Sequence, residues 1–206
     1  MPGVTQLSSS IDARWLDALQ RLSSRAAHEL RGALNGVSVN VEVIRSRAAK
    51  ASASAGSLSS FAEAASAQVD EVIELTEALL GLARPAREPV ELATETKRIV
   101  TLLAAAARAD SRRLQIDDVT ALNGLGVTSA PGSAVRVAVC ECLLAAVGSS
   151  AKIKCTAIAD ASSPVIRIEA PEGEPISLPS DVAVAAAESG IDIQVEASAI
   201  SISFPR

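Results

Sequence analysis

The chain has a single histidine, and the residues around it are of types that phosphoryl chemistry uses. Residues 24–35 read S-R-A-A-H-E-L-R-G-A-L-N. The imidazole of His28 is a nucleophile near neutral pH when one ring nitrogen holds the proton and the other has a free lone pair. Glu29 is an adjacent carboxylate that can hold this proton or tune the basicity of the ring. These groups suit a side chain that carries a phosphoryl group.

The orientation of His28 follows from the apolar residues of its segment. Residues 11–48 place them at steps of three or four, which predicts one long amphipathic helix, or a helix with a short break, with Ser10 as its N-cap. The apolar positions are Ile11, Trp15, Leu19, Leu22, Ala26, Leu30, Leu34, Val37, Val41 and Ile44. At about 100° for each residue, His28 lies about 200° from Ala26 and from Leu30. The imidazole is therefore predicted to face away from the helix's own core.

The helix face that carries His28 is small, polar and basic. Its other members, at offsets of three, four and seven residues, are Ser24, Arg25, Arg31, Gly32 and Asn35. The small Ser24 and Gly32 allow a partner protein to approach closely, and the two arginines can meet a phosphoryl group or an acidic partner. We therefore predict that these five residues bind a partner.

A second helix is predicted to follow a short turn. Residues 49–57 are small and polar, and residues 58–84 resume the apolar steps until Pro85. Two long helices joined in this way form an antiparallel hairpin. Because one hairpin buries its apolar stripes poorly, we expect a homodimer in which two hairpins form a four-helix bundle.

A domain of another kind is predicted to follow a linker at residues 85–90. Helices are indicated at residues 91–109, 133–147 and 180–189. Strands are indicated at residues 114–119, 152–159, 164–170, 191–195 and 199–204. The predicted fold class is therefore α+β, with a helical hairpin over residues 1–86 and an α/β sandwich over residues 87–206.

The composition argues against several classes of function. The net charge is −5 and aromatic residues make up 1% of the 206 residues, so neither a nucleic-acid surface nor an aromatic binding platform is expected. We expect no membrane partner, because no apolar stretch has the length to span a bilayer and residues 1–10 lack the pattern of a signal peptide. An odd number of cysteines predicts reduced thiols and a cytoplasmic location.

The cysteines are predicted to be buried apolar residues and not a metal site. Cys140 and Cys142 form a C-x-C pair, but on a helix their side chains point about 200° apart. Cys155 is distant in sequence, and the chain has no second histidine. We therefore predict no metal site.

The segment around His28 resembles the phosphoacceptor box of bacterial sensor histidine kinases, which commonly reads H-E-[LI]-[RK]-[NT]-P-L. The positions that match in place are His28, Glu29, Leu30, Arg31 and Leu34. Gly32 and Ala33 depart from the box, and the missing proline removes its usual kink. The stretch E-P-V-E-L at 88–92 is similar to the junction before the ATP-binding domain of these kinases, and the predicted elements that follow have the same order as in that domain.

The nucleotide-binding motifs of that domain are what this sequence lacks. The predicted helix at 133–147 lies where these kinases have their N box. Glu141 is retained, but Ala145 stands where the magnesium-holding Asn would fall. The D-x-G-x-G loop expected after the strand at 164–170 is replaced by A-P-E-G-E-P, and the glycine-rich lid before the last helix is missing. The resemblance therefore implies no cofactor of its own and no autophosphorylation from ATP.

A kinase-like hairpin with a histidine box and a degenerate nucleotide domain resembles the dimeric histidine phosphotransferases of phosphorelays. The resemblance implies that His28 takes a phosphoryl group from one receiver-domain aspartate and passes it to another, with magnesium held by the receiver. The implied partners are response-regulator receiver domains and a hybrid histidine kinase. Two other interpretations stay open: a non-catalytic adaptor that binds and regulates a receiver or a kinase, and an atypical ATP-dependent kinase or unrelated bundle.

Overall fold

The fold is taken from a computed structural model, which describes residues 3–49, 55–109, 125–150, 152–159, 163–170 and 175–206. The helices are α1 (Gly3–Ala48), α2 (Ala55–Ala83), α3 (Leu92–Ala109), α4 (Gly132–Ser149) and α5 (Ser180–Ala187). The strands are β1 (Val90–Glu91), β2 (Val127–Thr128), β3 (Lys154–Ala159), β4 (Pro164–Glu169), β5 (Asp192–Val195) and β6 (Ala199–Ser203). The predicted α+β class is confirmed.

The first two helices form the predicted antiparallel hairpin. Asn40 of α1 donates a hydrogen bond to Gln68 of α2 at 3.0 Å, and the Arg47 guanidinium lies 4.6 Å from the centre of the Phe61 ring. Residue numbers therefore increase along α1 in the direction in which they decrease along α2, so the two helices are antiparallel. Ser10 was predicted to be the N-cap, but it lies inside α1, which begins at Gly3.

The connection between the two helices is shorter than the sequence pattern suggested. The turn was predicted over residues 49–57, whereas α2 already begins at Ala55. Small residues tolerate helical backbone as well as a turn, so their composition did not fix this boundary. Residues 50–54 lie outside the described residues.

The apolar stripe of α1 is only partly covered by the rest of the chain. Trp15, Leu22 and Ala26 are buried in the core, as predicted. Leu34 and Val41 were predicted on the same stripe, but 52% of each is exposed. The stripe is therefore wider than the surface that one hairpin can bury.

The last four strands form one antiparallel sheet in the order β3-β4-β6-β5. The predicted hairpin of β3 and β4 is confirmed, with Cys155 opposite Ile168. The final strand β6 pairs with β4 on one side and β5 on the other. Alternate residues of β4 are buried, and α4 contacts this sheet at β4 and β6. Burial of every second side chain is the pattern expected for a sheet covered on one face.

Two short strands were not predicted, and one predicted strand cannot be assessed. β1 and β2 pair antiparallel over two residues each, with Val90 opposite Thr128. Strands this short are not long enough to show the alternation of apolar and polar residues that predicts a strand. The strand predicted at 114–119 lies outside the described residues. Gly190 follows the turn after α5 with a φ of +74°, a conformation that glycine adopts without steric cost.

The helix α4 is the central helix of the C-terminal region, residues 87–206. Eleven of its 18 residues are buried, and it contacts α1, α3, α5 and the sheet. By length and composition α4 is also apolar enough to cross a membrane, with 61% of that segment buried inside the protein. The expectation that no apolar stretch has this length was therefore wrong. Helices buried on most sides acquire the same apolar character.

Candidate functional site

His28 lies exposed on α1, on the face opposite the hairpin core. Ala26 is fully buried and Leu30 is partly buried against the core, whereas His28 between them is exposed. No hydrogen bond or ion pair of the imidazole occurs among the described residues. This is the orientation that the helical phase predicts, and it leaves the ring accessible to a molecule from outside.

The residues predicted to bind a partner surround His28 on this exposed face. Ser24, Arg25, Arg31, Gly32 and Asn35 are all exposed. A Cβ atom built on Gly32 would meet nothing within 4 Å, so the surface beside the imidazole is open. Within the described stretches of the chain, neither of the two arginines forms an ion pair. The face therefore presents two positive charges without an ion-pair partner among the described residues. One lies within a helical turn before the imidazole and the other within a turn after it.

Glu29, the predicted proton-holding neighbour, is partly buried at the side of this face. Consecutive residues on a helix point about 100° apart, so the two side chains diverge. No hydrogen bond joins its carboxylate to the His28 imidazole in the segments that are described. The role of Glu29 in tuning the ring stays a prediction.

Two ion pairs that sequence reasoning missed connect α1 to the C-terminal region. The Arg21 guanidinium binds the Glu141 carboxylate of α4, and Arg14 binds Asp181 of α5 at 2.7 Å. The hydrogen bond from Arg14 is the largest cause of the lowered pKa of Asp181. Arg21 lies seven residues before His28 and therefore on nearly the same face of α1. Sequence spacing could place Arg21 on this face, but only the tertiary fold identifies its partner.

Glu141, the N-box residue retained in the sequence resemblance, lines a cleft between α1, α4 and the start of α5. Its volume is about 490 Å³, and its charged lining residues are Arg14, Asp17, Arg21, Glu141 and Asp181. Ala145 of α4 has only a methyl side chain and packs against the core. The A-P-E-G-E-P segment falls largely at residues 171–174, outside the described residues. Among the described residues, no group of three or more His, Cys, Asp or Glu side chains is arranged to hold a metal ion.

All three cysteines are free and buried, as predicted. Burial raises the pKa of Cys140 and of Cys155 to about 12, and it also raises the pKa of Cys142. Because the thiolate is the metal-binding and nucleophilic form, burial disfavours the reactive form of these groups in the folded protein. The C-x-C pair contributes to the core.

The buried thiols predict a stability that falls at alkaline pH. Above a pKa of about 9 the unfolded chain releases thiol protons that the folded chain retains up to about pH 12. Because the unfolded state then binds fewer protons, each thiol lowers the free energy of unfolding by up to about 1.4 kcal/mol per pH unit. Urea denaturation from about pH 8 to about pH 11 measures this, and Cys155→Ala is expected to make the decline shallower. An equally steep decline in the variant would contradict the assignment.

Comparison with known proteins finds similarity to solved structures. The structure is similar to that of the Acinetobacter baumannii histidine kinase AdeS, with a TM-score of 0.42 and 18% sequence identity. The match covers 86% of this chain and 97% of that one. No protein-family model matches the sequence, and no curated protein matches it.

Proposed function

We propose that this chain is a histidine phosphotransfer protein that moves a phosphoryl group between receiver-domain aspartates through His28. The observation that carries the proposal is the exposed imidazole on α1, flanked by Arg25 and Arg31, which are both unpaired within the described residues. An aspartyl phosphate brings negative charge that guanidinium groups can neutralise. A reacting group that a whole folded domain must reach has to lie on an open surface, as His28 does.

The transfer needs little chemistry from the carrier. The lone pair of one imidazole nitrogen forms the N–P bond, while the P–O bond of the aspartyl phosphate breaks and its electron pair stays on the aspartate carboxylate. The proton on the other ring nitrogen remains on the ring during this step. The receiver is proposed to hold the magnesium ion, so that α1 supplies the nucleophile and positive charge.

Two observations, one contact and one missing ligand group, favour a carrier over an ATP-dependent kinase. Glu141 is the retained residue of the N-box resemblance, and its carboxylate is held by the Arg21 guanidinium. The Ala145 side chain has no oxygen with which to hold a magnesium ion. The cleft between α1 and α4 is thus bridged by an ion pair where a magnesium nucleotide would need ligands.

The test is transfer of radiolabel from a purified receiver domain that is phosphorylated on its aspartate. The carrier interpretation predicts label on this chain that is stable in base and lost in acid, as expected of an N–P bond. Direct labelling by magnesium ATP without a receiver would support the kinase interpretation instead. Binding and regulation of the receiver without any transfer of label would support the adaptor.

The two arginines are expected to guide the receiver to His28. Charge reversal in Arg31→Glu is predicted to slow association with a receiver by roughly tenfold at low salt, because attraction becomes repulsion. The matched control is Arg45→Glu, an exposed arginine on the same helix about 20 Å further along. Surface plasmon resonance at several salt concentrations measures both variants. Equal slowing in both would mean that net charge alone, and not this face, attracts the receiver.

The exposed apolar residues of the hairpin favour a homodimer. Leu34 and Val41 of α1 are half exposed, and so are Ile73 and Leu80 of α2. Spacings of seven residues place each pair on one face of its helix. A second hairpin that covers both faces would complete the proposed four-helix bundle.

A charge in this interface should separate the two copies. Leu34→Glu is expected to shift the protein from dimer to monomer, because burying an unpaired carboxylate costs several kcal/mol. Val184→Glu is the control, since Val184 is 61% exposed on α5 and is not part of the hairpin. Sedimentation velocity distinguishes the two species. A wild-type protein that sediments as a monomer at micromolar concentration would refute the bundle.

A further inference from the structure

The Arg136 side chain of α4 is buried where the hairpin meets the C-terminal region. Arg136 is 3% exposed. Its Nε donates to the Glu95 carboxylate of α3 at 2.7 Å. Its Nη1 donates to the carbonyl oxygens of Leu82 and Arg84, at 3.1 and 2.7 Å, and Nη2 donates to that of Gly81 at 3.3 Å. One guanidinium therefore joins α4 to α3 and to the C-terminal end of α2.

The same guanidinium also contacts α1. Its central carbon lies 5.4 Å from the centre of the Trp15 ring, and Trp15 is 7% exposed. A cation over an indole ring is held more strongly when water is excluded. Positive charge at the C-terminal end of α2 is also favourable to the dipole of that helix. All four long helices thus meet at Arg136.

Two further ion pairs lie beside this junction. Arg14 binds Asp181 and Arg21 binds Glu141, so α1 is tied to α5 and to α4 at points about 10 Å apart along its axis. Partly exposed ion pairs contribute little free energy each. Because the two ion pairs are separated along α1, they restrain orientation as well as distance. Together they resist rotation of the C-terminal region, relative to α1, about the Arg136 junction.

We propose that these contacts form a clamp that holds the hairpin and the C-terminal region together as a single rigid body. The clamp consists of Arg136 with Trp15 and Glu95, together with the Arg14–Asp181 and Arg21–Glu141 ion pairs. The segment between α2 and β1 then does not act as a hinge, although it has no regular structure. The C-terminal region stays on the N-terminal half of α1 and does not swing over His28. This inference goes beyond the proposed function, because it concerns motion and needs no phosphoryl transfer.

Distances between two spin labels test the clamp directly. Labels at Val39→Cys on α1 and Val184→Cys on α5 report on the hairpin and the C-terminal region, and both valines are more than half exposed. The native thiols are buried and leave the engineered cysteines as the reactive ones. Labelled protein is diluted into a large excess of unlabelled protein, so that each assembly carries one labelled chain. A single narrow distance distribution is expected, and a broad or bimodal distribution would overturn the proposal.

Variants of the clamp sharpen the test. Arg136→Met is expected to cause loss of the single narrow peak in protein that is still folded by circular dichroism. Glu95→Gln serves the same purpose with a smaller change if Arg136→Met does not fold. Arg45→Met, on the exposed C-terminal end of α1, is the matched control and is expected to retain the peak. An unchanged peak in a folded clamp variant would overturn the assignment. The measurement uses no phosphoryl donor, so its failure is separate from any failure of phosphotransfer.

Discussion

Replacement of His28 by alanine is expected to abolish transfer of label from a phosphorylated receiver. Loss of a nucleophile typically lowers a rate by a factor on the order of 10³ or more. The loss of transfer should be at least this large, because the sequence contains no other histidine that could accept the phosphoryl group. His28 is exposed and contributes no described hydrogen bond, so the variant should fold with little change in stability.

The assay compares wild type, His28→Ala and Ser46→Ala with the same phosphorylated receiver. Ser46 is also exposed on α1 and lies five turns from His28, so its variant should accept label at the wild-type rate. His28→Ala should still bind the receiver, because the flanking arginines remain. Label that persists on His28→Ala would refute the carrier. Normal regulation of the receiver by the alanine variant would favour the adaptor.

The position of His28 could be predicted because helical phase is a local property. The apolar steps from Ile11 to Ala26 fix which way α1 faces its core, and the His28 side chain then has to point outward. The same steps continue through Leu34 and Val41, which remain half exposed in a single chain. An apolar pattern marks residues that favour burial, but it does not say whether the same chain or another copy covers them.

The contacts that join the hairpin to the C-terminal region could not be predicted in this way. Arg136 lies in an apolar helix and has no charged neighbour within four residues of sequence. Its carboxylate partner, Glu95, is 41 residues away, and its other acceptors are backbone carbonyls. Local patterns carry no information about such a pair. An arginine in an otherwise buried helix was the available signal, since buried charges in proteins are paired.

Substitution of Arg136 by methionine is expected to lower the free energy of unfolding by about 3–5 kcal/mol. The loss arises because the Glu95 carboxylate, on a residue that is 4% exposed, would remain in the core without its main partner. Urea denaturation followed by circular dichroism measures the effect. Arg98→Met is the matched control, because Arg98 binds the same carboxylate at 2.8 Å from a side chain that is 35% exposed. A loss of about 1 kcal/mol or less is expected there, because the Arg98 guanidinium stays partly in solvent and Arg136 still pairs with Glu95.

The double variant Glu95→Leu/Arg136→Met separates the two roles of the arginine. If ion pairing with Glu95 were its whole contribution, removing both charges would restore most of the lost stability, because apolar residues can replace a buried pair. Arg136 also donates to carbonyls at the end of α2, and the Leu82 carbonyl would stay buried without a donor. We therefore expect partial recovery, with a deficit of about 1–3 kcal/mol. Full recovery would show that the ion pair alone holds this junction and that the end of α2 needs no cap from α4.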